Sequence, residues 1–388
     1  MVIFFWVCIF IIFYTYIGYG LLLFILVKIK KILVSAKQDI QAVYTPSLTV
    51  IVAAYNEAYC MKDKILNTLA LDYPPGKIEY IFITDGSTDD TASIVAEFPQ
   101  IKGMHQEGRT GKIAAVHRAM KEVKTEIVVF TDANTMVNTA ALLKMCRHYS
   151  DPAVGAIAGE KRVEIEEASD ATAGEGFYWK YESKLKQWDS ELYSVVGAAG
   201  ELFSIRRNLY EPVETDTILD DFMISMNIAL KGYRIVYEPE AYASEKASAN
   251  TGEELKRKIR IAAGGVQSIV RLKGLLLPFK QPILTFEFVS HRILRWVVTP
   301  YLLILSFFMN AYLVTRPGTW NVYWMMMAGQ IFFYGSAFFG WWMGKRQIKI
   351  KLFFIPYYFC LMNYAVIAGL NRYLFMEQSV LWEKAKRK

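Results

Sequence analysis

Three acidic residues follow apolar runs in the first third of the chain. Glu57, Asp85 and Asp132 each lie within three residues of the end of such a run. Carboxylates at the mouth of a sheet can accept hydrogen bonds from a ribose or a base, and they can hold a divalent cation that bridges phosphates. A turn would explain one Asp-Gly-Ser segment, but it does not explain why Asp85 and Asp132 recur at equivalent places.

A fourth acidic position, the pair Asp220 and Asp221, opens an apolar helical pattern from Met223 to Leu230. Taken alone, the pair is best interpreted as charge stabilisation at a helix N-terminus. Together with the three acidic strand ends it supports a second interpretation, in which one carboxylate is a general base.

Lys112 follows Arg109-Thr110-Gly111 at the start of another predicted helix. A lysine at a helix N-terminus can contact an anionic ligand, because the helix dipole favours negative charge there. The segment lacks the spacing of a P-loop, which excludes an ATPase of that type.

These residues must be positioned by short apolar runs that alternate with amphipathic ones between about 46 and 240. The predicted strands are Leu48 to Ala54, Ile78 to Thr84, Glu126 to Thr131 and Val154 to Ala158. The predicted helices between them are 58–71, 88–97, 112–123 and 138–148. Such alternation predicts a mostly parallel sheet covered on both faces, with ligands beyond the carboxyl ends of its strands.

The apolar residues of the chain are concentrated in four runs. Of 388 residues, 54% are hydrophobic and 21% are charged, which excludes a disordered protein. The charge-free runs are 2–27, 296–315, 317–344 and 352–371. Each could cross about 30 Å of hydrocarbon as a helix, so a fully soluble enzyme is excluded. The first run is longer than the apolar part of a signal peptide, and we interpret it as a retained anchor.

Basic residues predict the orientation in the membrane. Lys28, Lys30 and Lys31 directly follow the first run, which places the polar middle of the chain in the cytosol. The link between the third and fourth runs is also basic and therefore cytosolic. If 352–371 also spans, the basic tail at 384–388 ends outside, against the same rule. We therefore expect three spans and leave the fourth crossing open.

The net charge of +7 does not indicate nucleic-acid binding, because the basic residues border the membrane runs. The four cysteines lack metal-site spacing and fit unpaired thiols in a reducing compartment. After Gly252, basic residues alternate with apolar ones at helical spacing, which predicts an amphipathic helix at the membrane interface.

The ordered set of motifs resembles family-two glycosyltransferases, above all the membrane-embedded cellulose, hyaluronan, chitin and poly-N-acetylglucosamine synthases. The resemblance covers roughly residues 46 to 275. The segments that carry it are Tyr55-Asn56-Glu57, Asp85-Gly86-Ser87-Thr88-Asp89, Arg109-x-Gly111-Lys112, Thr131-Asp132-Ala133-Asn134, Gly200-Glu201 with Arg206-Arg207, and Asp220-Asp221. It implies an α/β GT-A (Rossmann-like) domain and inverting transfer from a nucleotide-diphosphate sugar.

The resemblance also implies roles for single residues. Asp221, with Asp220 beside it, would deprotonate the acceptor hydroxyl, and Gly200 and Glu201 would bind the acceptor. Asp132 and Asn134 would hold Mg²⁺ or Mn²⁺ against the diphosphate. The residues that would bind the nucleotide sugar are Ala54, Tyr55, Glu57, Asp85, Lys112, Asp132 and Arg260.

The chain departs from the family pattern at two places. Where the family has Asp-x-Asp, this chain has Asp132-Ala133-Asn134, which removes a charge that would hold the cation. Where the processive members have Gln-x-x-Arg-Trp, this chain keeps Arg260 but has Arg257 and Ile261 at the Gln and Trp positions. Gln267 lies too far along the chain to replace the missing Gln.

Three functional hypotheses remain open. The first is transfer from a UDP-sugar to a growing polysaccharide or oligosaccharide at the cytosolic face of the membrane. The second is transfer of one sugar to a lipid-linked acceptor, which the missing Gln and Trp favour. The third is a non-catalytic subunit for polysaccharide assembly or secretion. The predicted segments are an anchor (1–30), a cytosolic GT-A domain (45–250), an interface region (251–290) and membrane helices with a basic tail (291–388).

Overall fold

The computed structural model describes residues 1–33, 44–164, 172–246, 251–318, 321–346 and 350–375. The basic tail at 384–388 lies outside these residues. The strands are β1 (Leu48–Ala54), β2 (Ile78–Asp85), β3 (Lys102–Gln106), β4 (Ile127–Asp132), β5 (Thr135–Val137), β6 (Val154–Glu164), β7 (Phe203–Arg206) and β8 (Arg234–Lys246).

The α-helices lie before, between and after these strands. They are α1 (Val2–Phe13), α2 (Tyr19–Leu33), α3 (Ala58–Leu69), α4 (Thr91–Ala96), α5 (Lys112–Glu122), α6 (Ala141–Cys146), α7 (Thr172–Leu192), α8 (Asp220–Leu230), α9 (Thr251–Arg271), α10 (Pro282–Phe288), α11 (Thr299–Val314), α12 (Asn321–Lys345) and α13 (Lys351–Phe375). The π-helical segments Tyr14–Gly18 and Val289–Val298 join α1 to α2 and α10 to α11.

The eight strands form one mixed sheet in the order β3-β2-β1-β4-β7-β6-β8-β5. β1 pairs in parallel with both β2 and β4, and β2 pairs in parallel with β3. β7 is antiparallel to its neighbours β4 and β6. The carboxyl ends of β1, β2 and β4 therefore meet at one edge, as the sequence predicts.

Both faces of the sheet are covered by helices. Val50 and Val52 of β1 join a core with α3 and α6, whereas Ile51 between them joins a core with α5 and α8. This alternation follows from the period of two along a strand. The prediction of a sheet buried on both faces is confirmed.

Each of the four predicted apolar runs contributes to a helix. Within the part of the chain that the structure describes, three helical stretches are long and apolar enough to cross a membrane: Val2–Leu33, Pro282–Val314 and Leu352–Phe375. The last of these contains the run whose crossing the sequence leaves open. α12, which contains most of the predicted third run 317–344, is 25 residues long but is not among these three stretches. The four cysteines are free, as expected.

The amphipathic helix α9 lies between the sheet domain and the membrane helices. Ala262, Ala263 and Val266 on its apolar face are buried. A Cβ added at Gly369 of α13 would lie 2.5 Å from the Ala262 Cβ atom. α13 and the loop before α8 cover this part of the apolar face, and the prediction that α9 lies at the membrane interface stays a prediction.

Candidate active site

Parallel pairing brings the predicted donor residues to one edge of the sheet. Ala53 of β1 is in register with both Ile83 of β2 and Asp132 of β4. Ala54 is buried, and the guanidinium carbon of Arg109 lies 3.8 Å from the ring centroid of Tyr55. These residues form a flat aromatic and cationic surface beside the end of β1.

Asp85 is buried at the end of β2 and accepts hydrogen bonds from the loop before α5. Its Oδ2 atom accepts from the backbone N–H of Thr110 at 2.9 Å and of Gly111 at 2.6 Å, and its Oδ1 atom accepts from the Thr110 hydroxyl at 2.7 Å. Arg118 lies 3.2 Å from Oδ1. Asp85 therefore fixes the loop that carries Arg109 and Lys112.

Two glycines allow this loop to approach β2. Gly86 has a φ of +67°, and a Cβ added there would lie 2.7 Å from the backbone nitrogen of Arg109. Gly111 has a φ of +98° directly before α5. A side chain at either position would force the loop away, because positive φ favours glycine.

Lys112 lies among the acidic residues at the start of α5. Its Nζ atom donates to Asp132 Oδ1 at 2.8 Å and lies 3.7 Å from Asp220 Oδ2. Burial lowers the pKa of Lys112, but the three carboxylates of Asp132, Asp220 and Asp221 outweigh burial and raise it above its usual value. Lys112 therefore stays charged and can meet an anionic group between these residues.

The acidity of Asp221 is strongly altered by its neighbours. Burial and the neighbouring Asp220 raise the pKa of the Asp221 carboxyl to about 7, against the opposing effect of Lys112. Burial also raises the pKa of Asp132, with Lys112 again opposing. A carboxylate whose pKa lies near neutrality is suited to take a proton from a hydroxyl group.

Gly200 leaves open the space between these groups. A Cβ added there would lie 3.3 Å from Asp221 Oδ2, 3.4 Å from Lys112 Nζ and 3.7 Å from Asp132 Oδ2. Gly200 therefore lies where the Lys112 ammonium group and the carboxylates of Asp132 and Asp221 converge. Any side chain at this position would enter the site.

Glu201 is held by a lysine that the sequence analysis missed. Lys161 of β6 forms ion pairs with Glu201 and with Glu245 of β8. Burial tends to raise the pKa of Glu201, but Lys161 outweighs it and holds the pKa below its usual value. Lys161 lies in a charged segment of β6 that matches none of the sequence motifs, so the sequence does not indicate its role.

A cavity of about 930 Å³ joins the site to the membrane helices. Nine of the predicted residues line it: Glu57, Lys112, Asp132, Asn134, Gly200, Glu201, Asp220, Asp221 and Arg260. The other predicted residues, Ala54, Tyr55 and Asp85, lie at the adjoining strand ends. Arg292, Trp296 and part of α13 also line the cavity.

Arg260 and Gln267 connect α9 to the acidic pair in different ways. Arg260 lines the cavity, and burial lowers its pKa although Asp220 and Asp132 favour its charge. The side chain of Gln267 accepts from the Ile218 N–H at 3.0 Å and donates to the Asp216 carbonyl at 2.9 Å. Gln267 thus holds the loop that leads into Asp220, a role that its position in the sequence does not reveal.

Among the described residues, no three His, Cys, Asp or Glu side chains form a metal-ion cluster. Asp132 and Asn134 nevertheless both line the cavity and offer the hard oxygen atoms that Mg²⁺ and Mn²⁺ prefer. A cation held through one carboxylate, one amide and substrate phosphates is typical of Mg²⁺ sites. The residues present therefore fit a divalent cation whose remaining ligands come from substrate and water.

Comparisons with known proteins agree with this geometry. Residues 49–213 match the family Glycosyl transferase family 2. The poly-beta-1,6-N-acetyl-D-glucosamine synthase of Staphylococcus aureus (strain COL) is 29% identical over 243 residues, which cover 61% of this chain and 58% of the relative. The enzyme of the same name from Staphylococcus epidermidis is 27% identical over 231 residues, 58% of this chain and 56% of that protein.

A solved structure resembles the fold along most of the chain. The mannosyltransferase PcManGT from Pyrobaculum calidifontis, in complex with GDP-Man and Mn²⁺, has a TM-score of 0.69 and 23% sequence identity, with coverage of 94% of this chain and 97% of that one. The predicted α/β GT-A fold with apolar helices towards both ends is confirmed. Residues 49–213 therefore form a domain similar to those of family-two glycosyltransferases, and the chain spans about 58% of the length of the synthase from strain COL.

Proposed function

We propose that this protein is an inverting glycosyltransferase that moves a hexosyl or N-acetylhexosaminyl unit from a UDP-sugar to a growing polysaccharide or oligosaccharide. The observation that carries the proposal is the position of Asp221. This partly buried carboxylate, whose pKa is raised to about 7 by burial and by Asp220, lines one cavity together with Lys112 and Asp132. The similarity to poly-beta-1,6-N-acetyl-D-glucosamine synthases supports N-acetylglucosamine as the transferred sugar.

In the proposed reaction Asp221 takes the proton of the acceptor hydroxyl. The hydroxyl oxygen forms a bond to the anomeric carbon while the bond from that carbon to the diphosphate oxygen breaks. The diphosphate leaves with the electron pair of the broken bond. Lys112 and Arg260 would stabilise the negative charge that develops on it, because fixed cations in a buried site act strongly on such charge.

The donor would lie across the ends of β1, β2 and β4. Tyr55 and Asp85 would contact the nucleoside, with Ala54 and Glu57 beside it, and Asp132 would face the diphosphate. Asp132 and Asn134 would hold Mg²⁺ or Mn²⁺. A bound cation of this kind supplies additional charge neutralisation for the leaving diphosphate.

The proposed location is the cytosolic face of a cell membrane that the protein crosses several times. Lys28, Lys30 and Lys31 at the end of the first apolar stretch support this orientation by the positive-inside rule. The proposed partners are a nucleotide-sugar donor, a carbohydrate or lipid-linked acceptor and the bilayer, with no nucleic acid.

A second candidate is the transfer of a single sugar to a lipid-linked acceptor. Two observations favour it: the motif Gln and Trp are absent, and apolar residues of the membrane helix α13 line the cavity that contains Asp221. These residues include Phe359, Met362 and Val366. An acceptor with an apolar chain could lie against them.

The test uses the purified full chain in lipid nanodiscs. It is offered UDP-N-acetylglucosamine, UDP-glucose and GDP-mannose with Mg²⁺ or Mn²⁺, and nucleotide release and product length are measured. A ladder of products from a UDP-sugar supports the proposed function, and a single glycolipid supports the second candidate. Absence of both transfer and donor hydrolysis with every donor would contradict both and favour a non-catalytic subunit.

A further inference from the structure

The α9 wall of the cavity lacks the aromatic residue of the synthase motif. Ile261 stands at the position where the processive enzymes have Trp. We propose that Trp296, from the π-helical segment Val289–Val298, supplies the missing aromatic surface and stacks on the sugar ring at the reactive end of the acceptor. This inference rests on the proposed glycosyl transfer and adds the residue that recognises the acceptor.

The indole of Trp296 packs against α9 at Gly265, one helical turn after Ile261. Gly265 follows Ile261 by four residues, so both positions share one face of the helix. A Cβ added at Gly265 would lie 2.6 Å from the Trp296 Cε3 atom and 2.9 Å from its Cζ3 atom. Because Gly265 has no side chain, the indole can pack against α9 next to Ile261, the residue at the Trp position of the motif.

The indole is also close to the proposed base. The ring centroids of Trp296 and Phe222 are 5.6 Å apart, and Phe222 directly follows Asp221. Trp296, Ile261 and Asp221 line the same cavity. A sugar held against the indole would thus lie in the cavity that Asp221 also lines.

The surroundings of Trp296 favour a carbohydrate over a hydrocarbon chain. The guanidinium carbon of Arg292 lies 5.2 Å from the indole centroid, and Arg292 is fixed by Glu182 and by the Val196 carbonyl. Tyr181 lines the same cavity. A sugar ring has an apolar face that can pack on the indole. It also has hydroxyl groups that can hydrogen-bond to these polar neighbours, whereas a hydrocarbon chain has none.

The experiment compares Trp296→Ala, Trp296→Phe and wild type in nanodiscs. The probes are UDP-N-acetylglucosamine and a series of short β-1,6-linked N-acetylglucosamine oligosaccharides. We expect Trp296→Ala to raise the acceptor KM roughly tenfold or more, as for other buried aromatic contacts in binding sites. The donor KM and the rate of donor hydrolysis without acceptor should change little, and Trp296→Phe should retain most of the acceptor affinity. The matched control is Trp324→Ala on α12, whose indole is exposed and lies outside the cavity.

The possible outcomes are distinguishable. If wild type transfers sugar but Trp296→Ala has an unchanged acceptor KM, the inference is wrong and the proposed function stands. If both variants lose donor hydrolysis and acceptor use equally, Trp296 is only a packing residue, which also overturns the inference. If wild type elongates none of the oligosaccharides and hydrolyses no donor, the proposed function fails and the inference fails with it.

Discussion

The proposed donor half and the proposed acceptor half of the cavity are built in different ways. The donor half, residues 48–137, places its polar groups at the ends of neighbouring strands that follow one another along the chain. The acceptor half, residues 196–271 with 292–296, joins segments that are distant in sequence. Arg292, for example, contacts Glu182 across 110 positions and Val196 across 96. The proposed donor site thus depends on local strand order, whereas the proposed acceptor site depends on how the C-terminal apolar helices pack against the domain.

The halves also differ in the hydrogen bonds and neighbouring charges around their carboxylates. Asp85 in the donor half accepts three hydrogen bonds and pairs with Arg118. Asp221 in the acceptor half is partly buried beside Asp220, and burial together with the Asp220 charge raises its pKa to about 7. A fully bonded carboxylate holds a loop in place, while a carboxylate with a raised pKa is available for proton transfer.

The strongest test of this difference is Asp221→Asn. An amide cannot accept the acceptor proton, so we expect transfer to fall by roughly a hundred- to ten-thousandfold. Binding of the nucleotide sugar should be retained, because the donor half is untouched. Rates of sugar transfer and donor binding by calorimetry would measure both effects. Transfer close to the wild-type rate would contradict the assignment of Asp221 as the base.

The corresponding change in the donor half is Asp85→Ala. The N–H groups of Thr110 and Gly111 lose their acceptor, so the loop that carries Arg109 and Lys112 should move. We expect the donor KM to rise by roughly tenfold and the free energy of unfolding to fall by about 1–3 kcal/mol, the usual effect of unsatisfied buried groups. Steady-state kinetics and thermal unfolding measure these changes. The control is the exposed Asp72→Ala, and an unchanged donor KM would count against the proposed role of Asp85.

The same contrast explains what the sequence could predict. Each of the four predicted strands forms, and the start of β1 at Leu48 and its end at Ala54 agree with the prediction. β6 continues to Glu164, beyond its predicted end at Ala158, because Lys161 is neutralised by Glu201 and Glu245. A charged segment looks like a loop when the partners that allow its burial lie on other strands.

The acceptor half was only partly predictable for the same reason. The motifs identified Gly200, Glu201 and Asp221, which line the cavity. They gave no indication of Lys161 or Trp296, because neither follows a strand end or belongs to a short motif. Such residues become visible only once the packing between distant segments is known.

A smaller effect is expected in the pH dependence. Because Asp221 must be ionised to accept a proton, kcat/KM should fall as the pH drops below about 7, the value to which burial and Asp220 raise its pKa. Asp220→Asn removes the neighbouring negative charge and should move this limb to lower pH. pH–rate profiles measure the shift, with the exposed Glu211→Gln as the control. A limb that stays in place would show that Asp220 does not set the acidity of the base.

The smallest expected effect returns to the donor half and its departure from Asp-x-Asp. Asn134→Asp would add a second carboxylate beside Asp132, and added negative charge strengthens binding of hard divalent cations. We expect the Mn²⁺ concentration for half-maximal transfer to fall several-fold while kcat changes little, because Asp221 is unaltered. A Mn²⁺ titration of activity measures this, with the exposed Asn208→Asp as the control. An unchanged Mn²⁺ requirement would mean that Asn134 does not face the cation, and the proposed metal site would then rest on Asp132 alone.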